Sequence, residues 1–457
     1  MASGDSINRT DERGPLSRRR LLALSGVGLA GGLAGCSSSE SDSDPTDSSD
    51  STDSGPSGTE TETGFDAVLA ESPGSSIAPA DGFADTSWLD GDAAVVKVTN
   101  LEASGEGSLR WALTRPGSTI VIFEVGGVID LEREHLELSQ SETFVAGQTA
   151  PSPGITLIRG AVDVNADNVI LQHLRVRPGD DFDGPTQFDG INNGGGSNVV
   201  VDHCSVTWAT DENLSTSAGP ANSNISYTNN LVAECLADSL HPKGVHPYGS
   251  LVNDESKRVL LGGNCWANNL ARTPRLKGGT TSVVASNVMY NFERATNLGG
   301  GTEEETLATI TGNYYRAGPN TPQNDPMIGA TFTDAEGSIE AYIAFNTTDP
   351  SSMSVIDAGA QLTRVSSRPL WPENLSAGTS GVYDSVLETV GARPADRTEH
   401  DERVLTDVRE RTGDYIDSQS EVGGYPDLEA TERTLDVPDT GRAEWLAEFT
   451  AAVEVAS

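Results

Sequence analysis

The sequence predicts an all-β chain: a right-handed parallel β-helix with an N-terminal capping helix and a C-terminal tail of short helices. Three observations carry that expectation. First, "NVILQHLRV" at 168–176 and "NVVVDHCSV" at 198–206 superpose without a gap. Further copies follow as "NISYTNNLV" (224–232), "VLLGGNCWANN" (259–269), "SVVASNVMYN" (282–291) and "LATITGNYYRAG" (307–318). Second, the copies recur every roughly 23 to 34 residues, the range of strand-built solenoids, with no helical period between them. Third, a polar residue recurs in each copy, at His173, His203, Asn230, Asn264, Asn287 and Asn313. One coil cannot bury its inner face alone, whereas stacked coils make a continuous core. Side-chain amides repeated at one corner then hydrogen-bond along the stack. A β-propeller would need four strands per blade and a longer period.

Each segment has a place in that scheme. Residues 93–131 start as a strand, pass through a Gly-rich turn and continue as a short amphipathic helix, Ser108 to Leu113, then another strand. A helix over the open end protects an edge that would otherwise pair with other chains. Beyond about 350, "VYDSVLETVGA", "DERVLTDVRERTG" and "AEWLAEFTAAV" have helical spacing and are joined by Pro/Gly loops, as in a tail packing back along the solenoid.

The beginning of the chain has a different character. Arg18-Arg19-Arg20 leads into an apolar Gly/Ala-rich run ending "LAGC" at Cys36. A paired arginine, a short apolar stretch and small residues describe an export signal of the twin-arginine type. A cysteine after Leu-Ala-Gly resembles a lipidation site, so Cys36 is expected to anchor the mature chain to a membrane. Residues 37–63, rich in Ser, Asp and Thr, cannot bury enough apolar surface to fold and read as an extended tether. The expected divisions are thus 1–36 signal, 37–63 tether, 64–350 β-helix and 351–457 tail, in a protein working outside the cell.

Acidic residues number 68 against 29 basic, a formal net charge of −39. Such a charge suits a protein kept soluble where salt screens its field, as in an extreme halophile, and argues against nucleic-acid binding. Besides Cys36 there are Cys204, Cys235 and Cys265; three cannot all pair, and their spacing fits no zinc site. Against this background "ARTPRLKGG" (271–279) is out of character, with two arginines and a lysine within six positions. Arginine forks onto carboxylates, so the patch points to an anionic ligand.

The motifs "GSLRWAL", "FEVGGVIDL", "GQTAPSPGITL", "HLRVRPGD", "VDHCSVTWATDE", "HPKGVHPYGS" and "RTPRLKGG" occur in an order that resembles the secreted bacterial-type pectate lyases, from about 82 to 427. The resemblance implies a monomeric parallel β-helix enzyme that cleaves polygalacturonate by β-elimination with calcium. In the family's R-x-P-x-x-[R/K] run the first arginine is the base, which falls on Arg272. Lys277 takes the second cationic place, usually an arginine, and Arg275 lies between them. Lys243 of "HPKG" resembles a lysine that binds a uronate carboxylate. Asp189 and Asp211 match calcium ligands, with Glu212 adjacent. Two further ligand places hold Gln187 and Ser215, and the nearby Asp180, Asp181 and Asp183 could compensate. Asp202 and His203 are expected to serve coil packing; His241 and His246 flank Lys243 near the groove.

The chemistry is coherent with that pattern. The C5 proton of a galacturonate unit lies beside a carboxylate, so its removal needs charge neutralisation and a base at C5. Calcium, a hard cation held by carboxylates, suits the first task. Two other readings share the scaffold: a glycoside hydrolase of uronate-containing polysaccharide using two carboxylates, and a non-catalytic polysaccharide-binding surface lipoprotein.

Overall fold

The computed structural model describes residues 77–322, 325–330 and 337–455. The expected signal, lipidation site and tether lie outside the described residues. Among those described, no helix is long and apolar enough to cross a membrane.

The strands form three sheets of eleven, eight and ten strands that run the length of a parallel β-helix. Most coils contribute one strand to each sheet, so neighbours in a sheet are, tail strand aside, one coil apart in sequence. All pairings are parallel except Thr431–Glu432, which runs antiparallel to Val125–Gly126. Side chains from the three inner faces meet in one continuous core that includes Val121, Leu171, Val201, Tyr227, Leu261, Trp266 and Ile310.

Left-handed residues turn the corners. His173, His203, Asn229, Ser286 and Phe345 have φ between 45° and 57°, and Gly263 and Gly312 continue the same row at 68°. A second row holds Glu142, Asn168, Asn198, Asn224 and Arg258, and a third holds Trp208, Glu234, Asn268 and Asn291, all at positive φ. Asn is enriched at such corners because it tolerates this conformation better than most side-chain-bearing residues.

The amide ladder exists and the gapless match of 168–176 to 198–206 holds, but the register corrects the placing of His173 and His203 on the ladder. Asn230, Asn264, Asn287 and Asn313 each donate a side-chain N–H to the amide oxygen of the next, at 2.8 to 3.1 Å, and Asn346 ends the series. Below Asn230 the row continues with Cys204, whose N–H donates to Asn230 Oδ1 at 2.8 Å, and not with His203. Strand pairing sets Asp202 opposite Thr228, so His203 aligns with Asn229 and His173 lies one coil further along the same row. The coils stay in one unbroken register, and the two histidines stand one residue before the ladder position. Cys204, Cys235 and Cys265 are all free and buried.

The short helix Leu109–Ala112 (α1) is capped by Ser108, whose hydroxyl accepts from the Trp111 N–H. Leu109, Ala112 and Leu113 close the core at that end. Further on, Val382–Thr389 (α2) and Glu399–Glu410 (α3) set Val386, Leu387, Val404, Leu405 and Val408 against outward-facing Leu231, Ala233, Cys265 and Val288. Arg442–Glu454 (α4) lays Ala443 and Leu446 on Ile120, Ile122, Phe144 and Ile170. The tail is fastened by charge as well as by apolar contact. Asp401 of α3 takes Arg175 Nε at 3.1 Å and Arg177 Nη2 at 2.8 Å, all three buried.

Candidate active site

The eight-stranded sheet presents a row of outward residues, one per coil. Glu137, Asp163, Asn192 and Ser215 stand in register, and Leu251, Arg275 and Asn297 continue the row. Alternation explains it: the flanking Leu136, Leu138, Val162, Val164, Ile191, Leu214, Val252 and Leu276 point into the core. The row is acidic at one end and cationic at the other.

Four loops entering this sheet on successive coils bring the chemistry together. Asp189 precedes the strand Ile191–Asn193, Asp211 and Glu212 precede Leu214–Thr216, Tyr248 precedes Leu251–Val252, and Arg272 precedes Arg275–Leu276. Backbone bonds tie the loops to one another: Gly190 N–H to Glu212 O at 2.9 Å, and Ser250 N–H to Arg272 O at 2.6 Å. Gly190 is required beside Asp189, because a Cβ there would lie 2.3 Å from Val206 Cγ1 and 2.6 Å from the Asn213 carbonyl oxygen.

Asp189, Asp211 and Glu212 each offer a carboxylate oxygen, and these oxygens lie within 4.8 Å of one another. Asp189 Oδ1 also accepts the Glu212 N–H at 3.1 Å. Burial, then repulsion from Asp211 and Asp163, pushes the Asp189 carboxyl well above its ordinary range. Burial works against the Asp211 charge too, yet His246, His241 and Arg272 hold that carboxyl below its ordinary range. An all-oxygen donor set whose members repel one another fits a hard divalent cation such as calcium.

Arg272 closes the cluster. Its backbone is left-handed at φ 58°, its Nη1 contacts Glu212 Oε1, and its guanidinium lies over the Tyr248 ring. Burial first, then the nearby Arg275, lowers its pKa to about 10, against the opposing pull of Asp211 and Asp189.

The remaining expected residues are spread along the groove. Arg275 stands in the outward row. The Lys277 ammonium is engaged by Asp254 and by Asn253 Oδ1 at 2.9 Å. Lys243 is exposed at the tip of the 241–246 turn. The three loop aspartates have partners away from the cluster: Asp181 bonds Arg133 and Arg159, Asp183 bonds Arg133, and Asp180 bonds Gln419. Asp202 and His203 are buried in coil packing with Gln172, Thr228 and Asn229. Sequence reasoning did not reach Asp163, His135, Tyr248 or Arg294. Asp163 pairs with His135 and adds charge beside Asp189, while Arg294 is an exposed cation near Tyr248. Tyr248 sits inside a motif that was read for its lysine, and Asp163 belongs to a coil with no recognisable motif.

A scan against protein-family models matches none. Curated relatives do match. A protein of Aspergillus terreus named "Probable pectate lyase C" is 30% identical over 384 residues, covering 80% of this chain and 86% of the relative. The chain belongs to the pectate lyase family. A second "Probable pectate lyase C", from Aspergillus flavus, is 29% identical over 401 residues, 83% of this chain and 88% of the relative. Among solved structures, a variant of the Bacillus subtilis pectate lyase gives a TM-score of 0.47 at 15% identity, over 74% of this chain and 99% of that one. The major cedar-pollen allergen gives 0.48 at 16%, over 64% and 87%. As a pectate lyase family member the protein is a polysaccharide lyase, and a hydrolytic role on the same scaffold is not favoured.

Proposed function

We propose that the chain is a calcium-dependent lyase that cleaves polygalacturonate by β-elimination, with Arg272 as the base. The observation that carries this reading is the part-buried Arg272 guanidinium, stacked on Tyr248 and in contact with Glu212, set against three converging carboxylates. Asp189, Asp211 and Glu212 are the residues that would hold the cation. Bound calcium supplies charge neutralisation at the uronate carboxylate, which acidifies C5. Arg272 then takes the C5 proton, the C4–O bond breaks as a C4=C5 double bond forms, and the departing glycosidic oxygen takes a proton from solvent to leave as a sugar hydroxyl. Burial favours the neutral guanidinium, while the Tyr248 ring and the Glu212 carboxylate hold it in place and favour its charged form. Arg275 in the outward row, with Lys243 and Lys277 nearer the rim, would bind neighbouring uronates. Export by the twin-arginine route and a lipid anchor at Cys36 complete the reading, with a monomer tethered by residues 37–63.

The experiment is direct. Purified protein is incubated with polygalacturonate at high salt, with and without a chelator, and the ultraviolet absorbance of unsaturated product is followed. Product that forms only with calcium supports the reading. Chain shortening without absorbance would indicate hydrolysis and overturn it.

A further inference from the structure

The partners of Asp211 are two stacked imidazoles. His241 opens a tight turn, His241-Pro242-Lys243-Gly244, in which proline presets the backbone, Gly244 has φ 81°, and its N–H returns to the His241 carbonyl at 3.0 Å; His246 follows two residues beyond it. Inside that turn the Lys243 backbone N–H donates to His241 Nδ1 at 3.1 Å. A ring nitrogen that accepts a hydrogen bond carries no proton, so neutral His241 has its proton on Nε2.

That Nε2 faces Asp211 Oδ2 at 3.5 Å. The His246 ring lies parallel to it, centroids 3.8 Å apart and planes 4° apart, and brings its own Nε2 within 2.7 Å of Asp211 Oδ1. Both histidines are nearly inaccessible, at 4% and 5% exposure. Neither Nε2 has a hydrogen-bond partner elsewhere, and the His246 nitrogen approaches the carboxylate off the line of a strong hydrogen bond. Such contacts are commonly loose before a site is loaded and tighten afterwards. The tautomer also decides against these three residues as a nitrogen-rich metal site, because a protonated Nε2 has no lone pair to give.

We propose that His241 and His246 are positioning residues for Asp211: their Nε2–H groups grip the carboxylate from behind and fix its rotamer, so that its remaining lone pairs face the cation. The inference rests on Asp211 being a calcium ligand, as proposed above. It also gives the exposed Lys243 turn a second role, since its backbone sets the His241 tautomer.

The test uses the full chain, with His246→Leu, His246→Gln and the same pair at His241. Glutamine keeps an N–H near the Nε2 position; leucine keeps only bulk. Calcium affinity is measured by calorimetry without substrate, and the His241 tautomer of the wild type by nitrogen-15 spectroscopy. Near-ultraviolet circular dichroism checks folding. The expected result is an Nε2–H tautomer at His241, a loss of calcium affinity of about tenfold or more in the leucine variants, and recovery of most of it in the glutamine variants. Leucine variants that bind calcium like the wild type, glutamine variants no better than leucine, or an Nδ1–H tautomer would each overturn the proposal. A wild type that binds no calcium would overturn the assignment of Asp211 itself, a result distinct from those.

Discussion

The guanidinium carbon of Arg272 stands 4.1 Å from the centroid of the Tyr248 ring. Tyr248 is bridged to Glu212 on one coil and to Ala271 on the next, so the ring is held in register over the arginine. Burial of this kind is the largest cause of the lowered arginine pKa, about 10. A base acts in its deprotonated form, whose fraction grows about tenfold per pH unit below the pKa. The lyase rate at saturating calcium should therefore climb from neutrality towards about pH 10. Initial rates of unsaturated product across that range check it, and a flat profile would count against Arg272.

Arg272→Lys should lower kcat by roughly 10²–10⁴-fold, the usual contribution of a positioned base. The planar fork that reaches Glu212 and stacks on Tyr248 is lost, while the fold stays intact. Single-turnover rates read the chemistry, and circular dichroism reads the fold.

Salt should help this enzyme. A formal charge of −39 repels a polyanionic substrate until ions screen the field, over about 3 Å at 1 M salt. KM for polygalacturonate should fall as salt rises at fixed calcium. Full activity in dilute, chelated buffer would contradict both the charge argument and the calcium argument.

Replacing Asp401 by Asn should destabilise the protein by about 3–5 kcal/mol, the cost of leaving a buried charge without its partner. Arg175 and Arg177 are both fully buried and both bonded to that carboxylate. Denaturant unfolding of wild type and variant at one salt concentration measures the difference.

His203 gives stability a pH dependence. Burial opposes its charge, but Asp202 and Glu454 raise its pKa to about 9 from an ordinary 6.5. A raised folded-state pKa stabilises fully below about 6.5 and is lost as the pH rises through about 9. The wild type should thus lose on the order of 2 kcal/mol across that window. His203→Gln should flatten the melting-temperature profile there.

The repetitive parts were legible and the singular parts were not. The asparagine ladder, the capping helix and the tail followed from spacing, because each repeats or terminates a regular pattern. The register of His173 and His203 was misread because the histidines were matched to the second asparagine of the Asn229–Asn230 pair; the pairing of Asp202 with Thr228 sets them level with the first. Asp189, Asp211, Glu212 and Arg272, singled out by motif, lie together in the structure. Asp163 was not singled out, since its place beside Asp189 comes from stacking coils whose sequences share nothing recognisable. The competing engagement of Asp181 with Arg133 and Arg159 was equally invisible, being a contact between loops on different coils.

Glu454 of α4 meets the buried imidazoles of His173, at 3.1 Å, and His203, at 3.4 Å. The acid that completes this lock is 281 residues downstream of the first of those rings. During translation the coils can begin to stack long before the keystone carboxylate leaves the ribosome. A nascent chain interrupted between the two would carry a near-finished β-helix with two imidazoles still waiting for their counter-ion, and the final tightening of the molecule would be a late event in its biogenesis.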